Sequence, residues 1–183
     1  MTAVGTKSLG PYNRYAIWVQ GCQKVCPGCI SPDSRPLQGG YEADVTALAG
    51  DIAGTPGIEG MTISGGEPFL QWAALSELIT LVKGKRDLGV IVYTGMMYDE
   101  IMENKLAKAC DLIIDGEYRE GLDDGLSLRG SSNQKLHLIT QRYAGVTSMY
   151  GAKGRKIEFH IKGDRTTMVG IPNKDTIKKL MEA

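Results

Sequence analysis

Apolar residues recur along this chain with two different periods. Short runs rich in Ile, Val and aromatic side chains span Arg14 to Gln20, Gly60 to Ser64, Leu88 to Tyr93 and Cys110 to Asp115, each bounded by a glycine-bearing loop. Such runs predict four strands buried on both faces. Between them the spacing changes to three and four residues: Leu75, Leu78, Ile79 and Val82 form one apolar stripe, which predicts a helix over Gln71 to Lys83. Two more helices are expected at Ala43 to Ala53 and Tyr98 to Ala109. Strands alternating with helices build a parallel sheet with crossover helices, so the fold class is α/β. Functional residues are then expected on the loops that leave the C-terminal ends of the strands.

After Gly116 the pattern changes. A polar segment, Glu117 to Gln134, precedes a strand at Lys135 to Thr140 and a hairpin at Lys156 to Gly170, with its turn at Gly163-Asp164. A last amphipathic helix is expected over Lys174 to Met181, with Asn173 as its N-cap. No repeat interrupts this order, and 183 residues suit one domain spanning 1 to 183.

Composition narrows the function classes. Apolar residues make up 42% and charged residues 23%, as in ordinary globular enzymes. Lysine plus arginine, 21, equals aspartate plus glutamate, 21, so no global field draws in nucleic acid or an acidic membrane, and neither is expected as a partner. Met1 to Gly10 has no basic and apolar leader, and no run approaches the ~18 apolar residues of a membrane span, so a cytoplasmic location is expected.

The cysteines carry the strongest chemical signal. Cys22, Cys26 and Cys29 follow the first of these four runs directly, on a loop at a strand's C-terminal end. Three thiolates can ligate three irons of a four-iron cubane and leave the fourth iron open for chemistry. Gly21, Pro27 and Gly28 suit a loop that wraps closely around such a group. The alternative on spacing alone is zinc, with Cys110, His137 or His160 as the fourth ligand. Cys110 belongs to the opposite end of a parallel sheet and reads as a buried thiol, and neither histidine has ligand spacing.

Two further motifs follow on later strand ends. Ser64-Gly65-Gly66-Glu67-Pro68 offers close backbone approach and a carboxylate that can accept from an ammonium group, although the same string can be a plain strand-to-helix turn. Leu128-Arg129-Gly130-Ser131-Ser132-Asn133-Gln134 gathers one cation and several hydrogen-bonding side chains, able to clamp a carboxylate or simply to make a polar turn. Thr94 and Asp115 sit at the ends of the third and fourth of the four runs, where they can hold a ligand or cap the next element.

The three-then-two spacing of the cysteines resembles the radical S-adenosylmethionine superfamily, with Gly28 where those proteins often carry an aromatic residue. The Gly65-Gly66-Glu67 segment, the Arg129 to Gln134 string and the lead-ins Gly10 to Arg14 and Trp18 to Cys22 resemble the activating proteins of anaerobic ribonucleotide reductases, over about residues 10 to 140. That resemblance implies a partial, open (β/α) barrel followed by the C-terminal hairpin and helix at about 155 to 183. It implies a [4Fe-4S] cluster on Cys22, Cys26 and Cys29, and S-adenosylmethionine held by Gly65, Gly66 and Glu67, with Thr94, Asp115, Arg129, Ser132 and Asn133 as further contacts. The cluster and S-adenosylmethionine would do the chemistry, with no other catalytic side chain: reductive cleavage to a 5'-deoxyadenosyl radical, which takes hydrogen from a glycine of a glycyl radical enzyme. A reduced flavodoxin or ferredoxin is the implied electron donor, and a protein or peptide the implied substrate. A maturase of a ribosomal peptide, or a small-molecule enzyme on the same scaffold, is the alternative, because the C-terminal hairpin is not matched and could add a strand to a peptide.

Overall fold

The computed structural model describes residues 1–151, 154–173, 176, 179 and 182. Six strands form one sheet in sequence order: β1 (Thr2–Thr6), β2 (Arg14–Val19), β3 (Gly60–Gly65), β4 (Gly89–Tyr93), β5 (Leu112–Asp115) and β6 (Lys135–Leu138). The four inner strands are parallel, and the two edge strands pair antiparallel to them. Among the described residues, the strand order does not close on itself, so the architecture is an open, mostly parallel α/β sheet. Edge strand β1 has no counterpart in the apolar pattern, because Thr2, Val4 and Gly5 are exposed and its five residues hold no run of Ile, Val or aromatic side chains.

Parallel strands laid down in one direction, each joined by a right-handed crossover, place every connecting helix on the same face. The helices are α1 (Val45–Gly54), α2 (Trp72–Lys85), α3 (Tyr98–Ile101) and α4 (Lys105–Ala109). Asp44 starts α1 by accepting the Ala47 N–H at 2.7 Å. Leu75, Leu78, Ile79 and Val82 of α2 are buried as their spacing requires, and the basic Lys83 and Lys85 sit in its last turn, where the helix dipole favours them. The single helix expected over Tyr98 to Ala109 is two short ones, because Asn104 caps a new start by accepting the Leu106 N–H at 2.8 Å.

Strand alternation divides the core. Tyr15, Ile17, Val19, Met61, Ile63, Val90, Val92 and Ile113 face the helices. On the opposite face Ile91, Leu112 and Ile114 pack under Leu128 and Tyr143, while Ala16 and Trp18 pack under Val169. Val169 belongs to the C-terminal hairpin of β7 (Ile157–Lys162) and β8 (Arg165–Gly170), the element expected there. Ser8 Oγ donates to Val169 O at 3.1 Å, and Glu158 accepts the Lys7 N–H at 2.9 Å, so the hairpin is bonded to the segment after β1. The expected final helix falls for the most part outside the described residues.

Below the sheet, the fully buried Arg14 has no carboxylate partner among the described residues. Nη1 donates to Pro11 O and to the Tyr143 hydroxyl at 3.1 and 2.9 Å, Nη2 donates to Met61 O and Gly89 O at 2.6 and 3.1 Å, and Nε donates to the Thr62 hydroxyl. Five neutral acceptors thus fill the five donors of a guanidinium.

Candidate functional site

The register of β2 against β3 pairs Trp18 with Ser64 and Val19 with Gly65, so the loops that leave these two strands run side by side. A Cβ on Gly65 would stand 2.5 Å from Val19 N and O, and one on Gly66 would stand 2.2 Å from Gly21 O. Only glycine lets these backbones approach so closely. They are bonded there: Gly66 N–H donates to Val19 O at 2.8 Å, and Glu67 N–H to Gly21 O at 2.7 Å. On the other flank Gly21 N–H donates to Ser34 O at 2.8 Å and Cys22 N–H to Arg35 O at 2.9 Å. The base of the cysteine loop is therefore clamped between two backbone segments.

All three thiols line one open cavity of about 1820 Å³ at the C-terminal ends of the strands, together with Gly65, Gly66, Glu67 and Thr94. Small-molecule pockets run to about 1,000 Å³. This cavity exceeds the needs of one cofactor and has room for part of a larger substrate. Lys24 N–H donates to Cys22 Sγ at 3.4 Å, and the backbone N–H of Tyr118 donates to Cys26. N–H groups aimed at ligating sulfurs are a means by which proteins stabilise clusters. Burial pushes the Cys22 and Cys26 thiols up, so binding iron must displace their protons.

The ring beside the cysteine loop comes from another element. A Cβ on Gly28 would lie 3.3 Å from Tyr118 Cε1, so the ring adjoining this position is supplied by the loop after β5, beside a glycine that leaves it room. Lys24 reaches toward the same loop and donates to Glu117 at 2.7 Å.

Glu67 is buried and held by three donors. The Phe69 N–H reaches Oε1 at 3.0 Å, the Thr94 hydroxyl reaches Oε1 at 2.7 Å and the Gly95 N–H reaches Oε2 at 2.8 Å. A carboxylate accepts about four hydrogen bonds, which leaves room for about one more, from a ligand ammonium.

The remaining expected residues lie off the cavity. Asp115 alternates with Ile114 and faces the helix layer, where it accepts the Tyr98 N–H at 2.8 Å and the Lys135 N–H at 3.1 Å, with His137 Nε2 3.0 Å away. It ties α3 and β6 to β5. Arg129 turns to Asp124, Asn133 Nδ2 donates to Glu117 O at 2.9 Å, and Ser132 N–H donates to Leu122 O at 2.8 Å. Of that string, Gly130 and Gln134 line the cavity. Gln134 Oε1 accepts the Gly130 N–H at 2.8 Å and its Nε2 donates to Gly116 O at 2.8 Å, so the string folds largely upon itself. Local strings of polar residues announce such a loop but not which side chains it spends on its own backbone.

Arg155 lines the cavity without a signature in the sequence. Its side chain is 2% exposed and donates to Leu126 O, Arg129 O and Gly130 O at 3.1, 2.8 and 2.9 Å, with Asp123 at 2.7 Å. It anchors the Arg129 loop to the chain leading into β7.

A zinc centre does not fit this arrangement. Cys110 is fully buried at the opposite end of the sheet, where it donates to Leu106 O at 3.0 Å and burial pushes its thiol up to about 12. His137 stacks on Tyr98 with ring centroids 4.2 Å apart, and His160 lies 3.6 Å from Glu158 on β7. Among the described residues, no three Cys, His, Asp or Glu are gathered closely enough for a single ion. A cubane spreads its ligating sulfurs wider than one ion does, and three thiols without a fourth protein ligand match a cluster with one open iron.

An open parallel α/β sheet with three such thiols beside a Gly-Gly-Glu turn defines a single-cluster iron–sulfur protein of the radical S-adenosylmethionine class. The family described as "4Fe-4S single cluster domain" matches residues 8–137. The anaerobic ribonucleoside-triphosphate reductase-activating protein of Enterobacteria phage T4 is 30% identical over 133 residues, covering 69% of this chain and 85% of that protein. The protein of the same name from Vibrio cholerae is 31% identical over 143 residues, covering 72% and 91%. A pyruvate formate-lyase-activating enzyme of Streptococcus mutans is 35% identical over 86 residues, 42% of this chain and 31% of that enzyme. The chain belongs to the 4Fe-4S single cluster domain family, and within it to the glycyl radical activases. Its cofactors are a [4Fe-4S] cluster and S-adenosylmethionine. Among the described residues no helix is long and apolar enough to cross a membrane.

Proposed function

We propose that Cys22, Cys26 and Cys29 hold the cluster, that Gly65, Gly66 and Glu67 receive the methionyl amine of S-adenosylmethionine at its open iron, and that the target is a glycine of a partner glycyl radical enzyme. The observation that carries this reading is the convergence of the three thiols and the Glu67 carboxylate on one cavity, through loops bonded backbone to backbone. Bound and reduced, the cluster supplies the electron that splits the sulfonium carbon–sulfur bond into methionine and a 5'-deoxyadenosyl radical.

The chain's own residues do the rest. Glu67, fixed by Thr94 and Gly95, orients the ammonium group, and the cysteine loop and the Tyr118 wall keep the ligand in one pose. Residues 1 to 183 act as one domain, whose sheet and one-sided helix layer serve as an open barrel. The size of the cavity supports a macromolecular substrate entering beside the cofactor. The names of the relatives favour an anaerobic ribonucleotide reductase as that substrate. A reduced flavodoxin or ferredoxin is the proposed electron donor, since the cluster needs a one-electron reductant. The test is anaerobic incubation of the reconstituted protein with S-adenosylmethionine, a reductant and such a reductase, followed by electron paramagnetic resonance. A glycyl radical doublet on the reductase is expected. Its absence, while 5'-deoxyadenosine is formed, would remove this substrate and leave the cofactor chemistry standing.

A further inference from the structure

We infer that Arg35 binds the methionyl carboxylate of S-adenosylmethionine, opposite the Glu67 carboxylate that takes the amine. This rests on the reading of the cavity given above. Among the described residues, three side-chain cations line that cavity: Lys24, Arg35 and Arg155. Lys24 is paired with Glu117 at 2.7 Å, and Arg155 is spent on Asp123 and three carbonyls. The Arg35 side chain makes no hydrogen bond or ion pair with any described residue, and its Nε is buried without a partner.

Arg35 is half-buried, and a guanidinium Nε withdrawn from water and left without an acceptor is unfavourable unless a ligand completes it. Its planar fork matches a carboxylate bidentately. The backbone places it correctly for an α-amino acid end group. Gly21 and Cys22 are bonded through the backbone on one side to Ser34 and Arg35 and on the other to Glu67, so Arg35 and Glu67, which both line the cavity, flank the same short stretch of the cysteine loop. An ammonium and a carboxylate on one carbon atom require such a pair of opposite charges on neighbouring segments. Arg35 was not among the residues that the motifs pointed to, because it lies in a polar stretch after the cysteines with no local signature.

The test is calorimetric binding to the oxidised, cluster-loaded protein, in which no turnover occurs, with S-adenosylmethionine and with its decarboxylated form. Arg35→Gln should weaken S-adenosylmethionine at least about tenfold, the loss expected for a charge-assisted bidentate contact, and leave the decarboxylated ligand within about twofold. Arg35→Lys, which keeps the charge but not the fork, should fall between, and iron content equal to the wild type shows that both variants are assembled. Equal weakening of both ligands, or no weakening of either, would overturn the assignment. A wild-type holoprotein that binds no S-adenosylmethionine would instead overturn the functional reading beneath it.

Discussion

The Thr94 hydroxyl donates to Glu67 Oε1 across 2.7 Å, so the end of β4 fixes the carboxylate that stands at the end of β3. Gly95 N–H holds the other oxygen at 2.8 Å. Thr94 thus positions Glu67, the proposed amine acceptor, and its hydroxyl also accepts the Met96 N–H at 3.0 Å. Thr94→Val keeps the shape and removes both bonds. It should cost about 1.5–3 kcal/mol in denaturant unfolding. In steady-state cleavage assays it should raise KM for S-adenosylmethionine more than it lowers kcat, and an unchanged KM would show that Glu67 does not depend on it.

The thiols divide into two groups by environment. Cys22→Ala, Cys26→Ala and Cys29→Ala should each abolish iron retention after anaerobic reconstitution, because three ligands are the minimum for the site. Cys110→Ala should retain full iron and lose only stability, since Cys110 is buried against Leu106 at the far end of the sheet. Iron analysis on the four variants checks this, and loss of iron in Cys110→Ala would revive a four-thiol centre.

The anchor between Arg155 and Asp123 predicts a pH dependence. Burial raises the Asp123 carboxyl, but the hydrogen bond and charge of Arg155 and the Gly125 N–H outweigh it and hold Asp123 below the usual carboxylate range. The folded pKa lies below the unfolded one, so the contribution to stability is complete above about pH 4 and is lost as pH falls through the folded value. Chemical denaturation from pH 6 down to 3 should show this loss in the wild type. Arg155→Met should be less stable at pH 6 and flatter below pH 4; an equally steep wild-type and variant profile would contradict the pairing.

Arg14 and Tyr143 test the floor of the sheet. Tyr143→Phe removes the hydroxyl that accepts from Arg14 Nη1 at 2.9 Å and leaves a buried charged donor short of a partner. A loss of about 1–3 kcal/mol in thermal or denaturant unfolding is expected, with cluster content unchanged, because the pair lies at the opposite end of β2 from Cys22.

Much of this was legible in the chain because it depends on short-range pattern. The four inner strands and α2 follow from apolar spacing, and the placing of Cys22 to Cys29 and Gly65 to Glu67 on neighbouring strand-end loops follows from motif order. The side that Asp115 faces is not legible in the sequence, because a strand-end residue faces one side or the other by parity, and here it shares the helix face with Ile113. The string holding Arg129, Ser132 and Asn133 is legible as a polar loop, but local sequence does not reveal that Asp124, Leu122 and Glu117 fold back to meet these residues. Arg14, Arg35 and Arg155 act through partners, or the lack of partners, distant in sequence. β1 was invisible because its pairing with β2 depends on the backbone and not on an apolar run.

The central claim is that this chain cleaves S-adenosylmethionine at a cluster held by Cys22, Cys26 and Cys29. The direct measurement is 5'-deoxyadenosine released by the anaerobically reconstituted, reduced protein, read alongside its iron content. About four irons per chain are expected, with product that disappears in Cys26→Ala. A protein that takes up its iron and makes no 5'-deoxyadenosine, or a Cys26→Ala variant that still makes it, would overturn the assignment of this chemistry to the three thiols.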